Sequence, residues 1–119
     1  MAQLAALRDT VDEVGRVDGA EGLGSGFTKG GALVVARTTA QEERARAEVA
    51  HAAAWGGSTT WLDAGATRER LAVAVTRGAT FTPDCARVHP RRLVDGLAGA
   101  VRRPGGRTVE GARVTRPGD

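Results

Sequence analysis

This sequence contains no isoleucine and no tyrosine, and lysine, cysteine and methionine occur once each. Aromatic residues make up only 3% of it. The missing large side chains limit what can be buried. Alanine and valine carry most of the 41% apolar content, so each ordered residue gains little and the core is lean. The lone Cys85 excludes an intrachain disulfide, and a reducing, cytoplasmic setting is expected. Met1 to Asp9 have neither a basic start nor a long apolar run, so no signal peptide is expected. No stretch approaches the length needed to cross a bilayer, and no membrane partner is expected. At 119 residues the chain is one domain at most.

Lysine is all but missing, yet the chain is basic: the net charge is +3 and the pI is near 10.4. Arginines are spread through every segment and interleaved with acids, as in Glu42-Glu43-Arg44-Ala45-Arg46-Ala47-Glu48. Such a mix is the pattern of a solvated helix face. A small basic module that binds nucleic acid or an acidic protein is the alternative this charge allows. The interleaving argues against a dedicated patch, and no nucleic-acid partner is expected.

What is present organises around Gly78 to Pro90 and the helix that follows. The run is extended, with Phe81 and Val88 its large apolar residues, and Pro83 argues against a central strand there because it cannot donate to a ladder. Pro90 suits the first helical position, where a missing N–H costs nothing. Leu93, Leu97 and Val101, with Val94 beside them, give one apolar face from Arg91 to about Val101, and Pro104-Gly105-Gly106 stops the helix. Arg107 to Val114 then reads as a short strand, completing the beginnings of a β-α-β unit.

Earlier in the chain, Leu4, Leu7, Val11 and Val14 form a helical stripe. That helix ends near Gly15 or continues to Glu21 with Gly22 as its C-terminal glycine. Gly22-Leu23-Gly24-Ser25-Gly26 invites comparison with a dinucleotide fingerprint and fails it. The sixth position is Phe27, a helix precedes the run and a strand follows, so a flexible connection is expected. Phe27 to Arg37 reads as a hairpin, or a strand pair with Gly30-Gly31 at a turn or bulge. Thr39 followed by Glu42 is a capping box for a helix from about Ala40 to about Trp55. Trp55 and Trp61 are expected to pin the next connection by apolar packing. Asp63 caps a short helix to about Leu71, and Leu71, Val73 and Val75 lead to a turn at Thr76-Arg77-Gly78.

Chemistry-bearing residues are sparse. Cys85 and His89, with His51, fall short of a zinc site, which needs three or four converging ligands. Along an extended run Cys85 and His89 lie more than about 10 Å apart at roughly 3.3 Å per residue, beyond nucleophile–base reach. Ser25 and Ser58 lack a local histidine. Asp12-Glu13 and Glu42-Glu43 lie on exposed helix faces, which gives paired-carboxylate catalysis no support. No catalytic and no metal-binding residue is assigned.

The run GATFTPDCARVHPRRLVDGLAGAV, followed by EGARV, resembles the D-amino-acid-oxidase-like superfamily of FAD-dependent oxidoreductases, in the branch of amine or γ-glutamylputrescine-type enzymes. DTVDEVGRVDGAEG, FTKGGALVVARTTAQ and WLDAGATRERL fit the same branch in the same order. Family members are several-fold longer, so the resemblance is to an interior section. It implies an α+β, partial FAD-dependent oxidoreductase fold: part of a mixed substrate-domain sheet with helices, plus one crossover helix and strand of the FAD domain. Residues 1–89 would be a partial substrate-binding domain and 90–119 a partial FAD-binding domain.

The implied chemistry is oxidation of a C–N bond in an amine or amino acid to an imine, with FAD as cofactor. The glycine-rich FAD loop of the family lies N-terminal to the matching part, and most substrate contacts lie beyond its end. The resemblance therefore implies that this chain alone lacks activity. It places Val114, in the strand beside the adenine, as the one cofactor-binding residue, and His89 at a helix entry rather than in catalysis. Exposed sheet edges allow self-association.

Overall fold

The computed structural model describes residues 2–113. Its centre is a three-stranded antiparallel sheet of β2 (Ala32–Ala36), β4 (Gly78–Thr82) and β3 (Thr60–Asp63), in that spatial order. The middle strand, β4, is the one that Pro83 was expected to forbid. It pairs on both sides, Val34 with Thr80 and Trp61 with Thr80, but ends at Thr82. Pro83 therefore lies just past the end of β4 and not within it. Gly78, Ala79 and Thr80 are buried, and Ala79 is wholly inaccessible.

Each face of the sheet carries a helix. α2 (Thr39–Ala54) lies over the face of Val34 and Thr80, and α3 (Ala64–Arg70) over the opposite one. With so few large aliphatic residues, arginine stems and heads take their place. The Arg46 guanidinium sits 4.5 Å from the Trp61 ring centroid on one face, and Arg70 sits 4.6 Å from that of Phe81 on the other. Planar guanidinium over an aromatic face combines apolar cover with cation–π attraction.

Local capping follows the sequence with one shift. α2 begins a residue earlier than Thr39 and Glu42 suggest. Its N-cap is Thr38, which accepts from the Gln41 amide, while Gln41 Oε1 accepts from the Thr38 amide. Glu42 is released from the cap to bind Arg77 at 2.6 Å and Arg46 at 3.0 Å, tying α2 to the turn before β4. Asp63 caps α3 as expected, accepting from the Ala66 amide at 2.8 Å. Trp55 does not pin its connection: it is 65% exposed, whereas Trp61 lies half-buried in β3.

Phe27 to Arg37 is not a hairpin. β1 (Thr28–Lys29) pairs with β5 (Ala86–Arg87), and β2 pairs with β4, so residues 28–36 and 78–87 run beside each other as one antiparallel ribbon. Lys29 faces Ala86 and Ala32 faces Thr82. Between those pairs lie Gly30-Gly31 on one strand and Pro83-Asp84-Cys85 on the other. The extra residue is a bulge, bridged by the Gly31 amide donating to the Cys85 carbonyl at 3.0 Å. Gly31 sits at φ +78 under the Phe81 ring, where a Cβ would come within 2.5 Å of it.

The outer helices are held differently. α1 (Ala2–Ala20) takes the longer of its two expected forms and closes with a glycine cap: Gly22 at φ +59 donates to Gly19, and Leu23 donates to the Asp18 carbonyl. None of its residues is buried. The connection 22–26 is not a loose link, because Leu23 and Ser25 are both buried. It packs on α4 (Pro90–Arg102), where Gly96 meets the Leu23 backbone directly. His89 N-caps α4, with Pro90 at its first position. The strand expected over Arg107 to Val114 does not form across 107–113. Those residues are exposed and without ladder bonds, since no described strand lies alongside to pair with them. The β-α-β unit is accordingly incomplete, and every described strand pair is antiparallel.

The buried apolar residues are Leu23, Ala36 and Ala79 among those described. The Cα radius of gyration is 19.6 Å, against about 13.5 Å for a compact domain of this length. The chain is extended, with one small packed centre.

Candidate functional site

A concavity beside the sheet lies between α1 and the end of α2. It encloses about 590 Å³, with Leu4, Leu7 and Trp55 on its walls and Ser58, Thr82 and Asp84 at its floor. β3 and β4 position that floor: Thr59 and Thr82 sit side by side at the strand ends, their hydroxyls 3.0 Å apart. Just past them come Pro83 and Asp84.

Asp84 is the polar hub. Its Oδ2 accepts from the Ser58 hydroxyl and from Arg8 Nε, the latter at 2.7 Å. Arg8 also donates to the Gly56 carbonyl at 3.0 Å. The Ser58 hydrogen bond, above all, holds the Asp84 carboxyl below its usual range, opposed by burial and aided by Arg8 and the Lys29 charge. Asp84 is thus an acceptor already engaged at neutral pH. The Ser58 hydroxyl donates to a carboxylate whose basicity is lowered by that bond and by Arg8, which makes Asp84 a poor activating base. His51, exposed near the rim with its ring 6.3 Å from Trp55, has no hydrogen bond to either. The cleft offers an apolar wall and a neutralised ion pair.

The residues weighed in the sequence do not converge elsewhere. Cys85 lies half-buried in the bulge, His89 caps α4 through Nδ1, and His51 stands on α2. Among the described residues no three metal-ligating side chains cluster. Asp12 pairs with Lys29, and Glu13 with Arg16, so those adjacent carboxylates serve as surface ion pairs. No described helix is long and apolar enough to cross a membrane. Val114 lies outside the described residues. The hub of Arg8, Ser58 and Asp84 was not legible beforehand, because its members are up to 76 positions apart and each has an ordinary local context.

A family model described as FAD dependent oxidoreductase matches residues 1–118. Among solved structures, the fold is similar to a glycine oxidase from Bacillus cereus ATCC 14579, with a TM-score of 0.71 and 18% identity over 86% of this chain. It is also similar to a glycine oxidase from Geobacillus kaustophilus, with a TM-score of 0.66 and 23% identity over 81% of this chain. The matched parts are 29% and 27% of those two proteins, so the chain spans less than a third of either. No curated protein sequence matches it.

Proposed function

The chain belongs to the FAD-dependent oxidoreductase family, and from that premise we propose that it forms a wall of a flavin enzyme that oxidises an amine or amino acid to an imine. Residues 1–89 would supply part of the substrate-binding domain, and 90–119 the crossover helix and a strand of the FAD-binding domain. In a complete enzyme of this kind FAD would supply the redox chemistry.

The described residues do not fit FAD by themselves. A pyrophosphate cradle needs a strand, a glycine turn and a helix N-terminus in succession. Here the glycine run follows α1 and precedes β1, two of its residues are packed inside, and no parallel strand pair exists among those described. No step of the redox chemistry is therefore assigned to these side chains, and Val114 stays a proposed adenine contact.

The observation that carries the reading is the family match along the whole chain, joined to a helix that exposes its apolar face. Val94 and Leu97 of α4 are 62% and 45% exposed, as a crossover helix would be without its sheet. Flavin absorbance tests it, measured on the purified chain and on the chain joined to the coding sequence that flanks it. Flavin and imine formation only in the joined protein are expected. Stoichiometric flavin in the lone chain would overturn the division of labour, and none in either would overturn the reading. The outer edges of β2 and β3, unpaired among the described residues, also support self-association of the lone chain, which sedimentation would detect as a dimer.

A further inference from the structure

The connection 22–26 is rejected as a dinucleotide loop because no helix follows it, yet the fold delivers it to the N-terminus of a different helix. The His89 amide donates to the Ser25 carbonyl at 2.8 Å, joining the loop to the entry of α4. A cavity of about 320 Å³ opens there, lined by Ser25, Arg87, Val88, His89 and Arg92 among others.

Four features of that cavity point to an anion. Ser25 is wholly buried, and its Oγ is the one buried side-chain polar atom, among those described, with no hydrogen-bond partner. Leaving a hydroxyl unsatisfied inside is costly, and buried groups of this kind are nearly always paired. Ser25 is one of the lining residues, so a hydroxyl donor without a partner stands at the cavity wall. Arg87 and Arg92 line the cavity, and neither forms an ion pair with a carboxylate among the described residues. His89 accepts from the Arg92 amide through Nδ1, so a neutral ring carries its proton on Nε2 as a further donor. The positive end of a 13-residue helix adds to them. Residues that carry donors line the cavity, and no carboxylate does.

We propose that this cavity binds a phosphoryl group, as inorganic phosphate or a small phosphate monoester. Two unpaired guanidiniums suit a dianion with several acceptor oxygens better than a carboxylate with two. The inference is independent of the flavin reading, because it uses only residues 25–92 of this chain.

The test is titration of the full chain with inorganic phosphate, glycerol phosphate and acetate at constant ionic strength, followed by backbone amide resonances. Saturable shifts at Gly26, Val88, Arg91 and Arg92 are expected with both phosphates. Arg87→Ala and Arg92→Ala should each weaken binding about tenfold, as should Ser25→Ala, since hydrogen bonds to a charged group are being lost. Arg44→Ala, remote on α2, should leave it unchanged. Equal binding of the two phosphates assigns the phosphoryl group alone, and tighter glycerol phosphate assigns an ester; either upholds the site. Unshifted amides, acetate binding as tightly as phosphate, or an equal loss from Arg44→Ala would overturn it. Ser25→Ala removes a hydroxyl that bonds to nothing, so that variant should fold as well as the parent.

Discussion

β4 and α4 make an instructive pair. α4 has the stronger sequence pattern, with Leu93, Leu97 and Val101 stacked at four-residue intervals, yet none of its residues is buried. β4 reads Gly-Ala-Thr-Phe-Thr, with one large apolar side chain, and is the most buried element of the chain. Periodicity tells which face of an element seeks cover. It does not tell whether cover is at hand. β4 has a strand on each side and a helix over each face, whereas α4 rests on Leu23 and an ion pair from Arg103 to Glu21 at 3.0 Å.

Substitutions at glycines break this contrast most sharply. Gly78 starts β4 at φ +151, and a Cβ there would overlap the Trp61 ring and come within 2.5 Å of the Leu62 carbonyl. Gly78→Ala should cost about 3 kcal/mol and unfold the sheet with both its helices, read by chemical denaturation. At Gly96 a Cβ would meet the Leu23 backbone, which cannot move aside. Gly96→Ala should cost about 1–2 kcal/mol despite the gain in helix propensity, and hydrogen exchange should rise in α4 while the sheet stays protected. Gly99, with nothing within 4 Å of its Cβ position, is the control. There the same change should stabilise α4 by about 0.5–1 kcal/mol.

Acid probes the attachment of α1. Because the folded-state pKa of Asp84 is depressed, its contribution is complete at neutral pH and is lost as pH falls below about 4. Exchange protection in α1 should drop in that range before the sheet responds, and Asp84→Asn should abolish the step. Its size is about 1 kcal/mol or less, since Arg8 and Asp84 are 32% and 25% exposed. The smallest effect on the lone chain is expected from Val94→Lys on the bare face of α4, within about 0.5 kcal/mol. In the flavin-bearing joined protein the same substitution should reduce flavin retention markedly. Equal effects in both proteins would mean that α4 meets no further partner.

Much of the fold was legible where the signal is local. The stripe of α1, its Gly22 cap, Asp63 at the start of α3 and Pro90 at the start of α4 all depend on neighbours in sequence, and all stand where the residues put them. The capping box slipped by one residue because Thr38 and Thr39 are adjacent and both Gln41 and Glu42 can answer them. β3 was missed because Thr60 to Asp63 is four residues long and becomes a strand only by lying against β4. The strand after α4 was overcalled for the converse reason: its residues suit a ladder that the described chain does not provide. The cleft at Asp84 and the cavity at Ser25 were invisible, since each gathers residues from distant segments whose own surroundings are unremarked.

The unmatched residue between Thr82 and Ala86 does more than bend the ribbon. Side chains alternate along a strand, so one position too many exchanges inside for outside from there onward. Ala86 and Arg87 take the sides opposite to those an unbroken ladder would give them, and the helix behind them inherits that heading. Excising one residue here would turn the remainder of the chain to the other side.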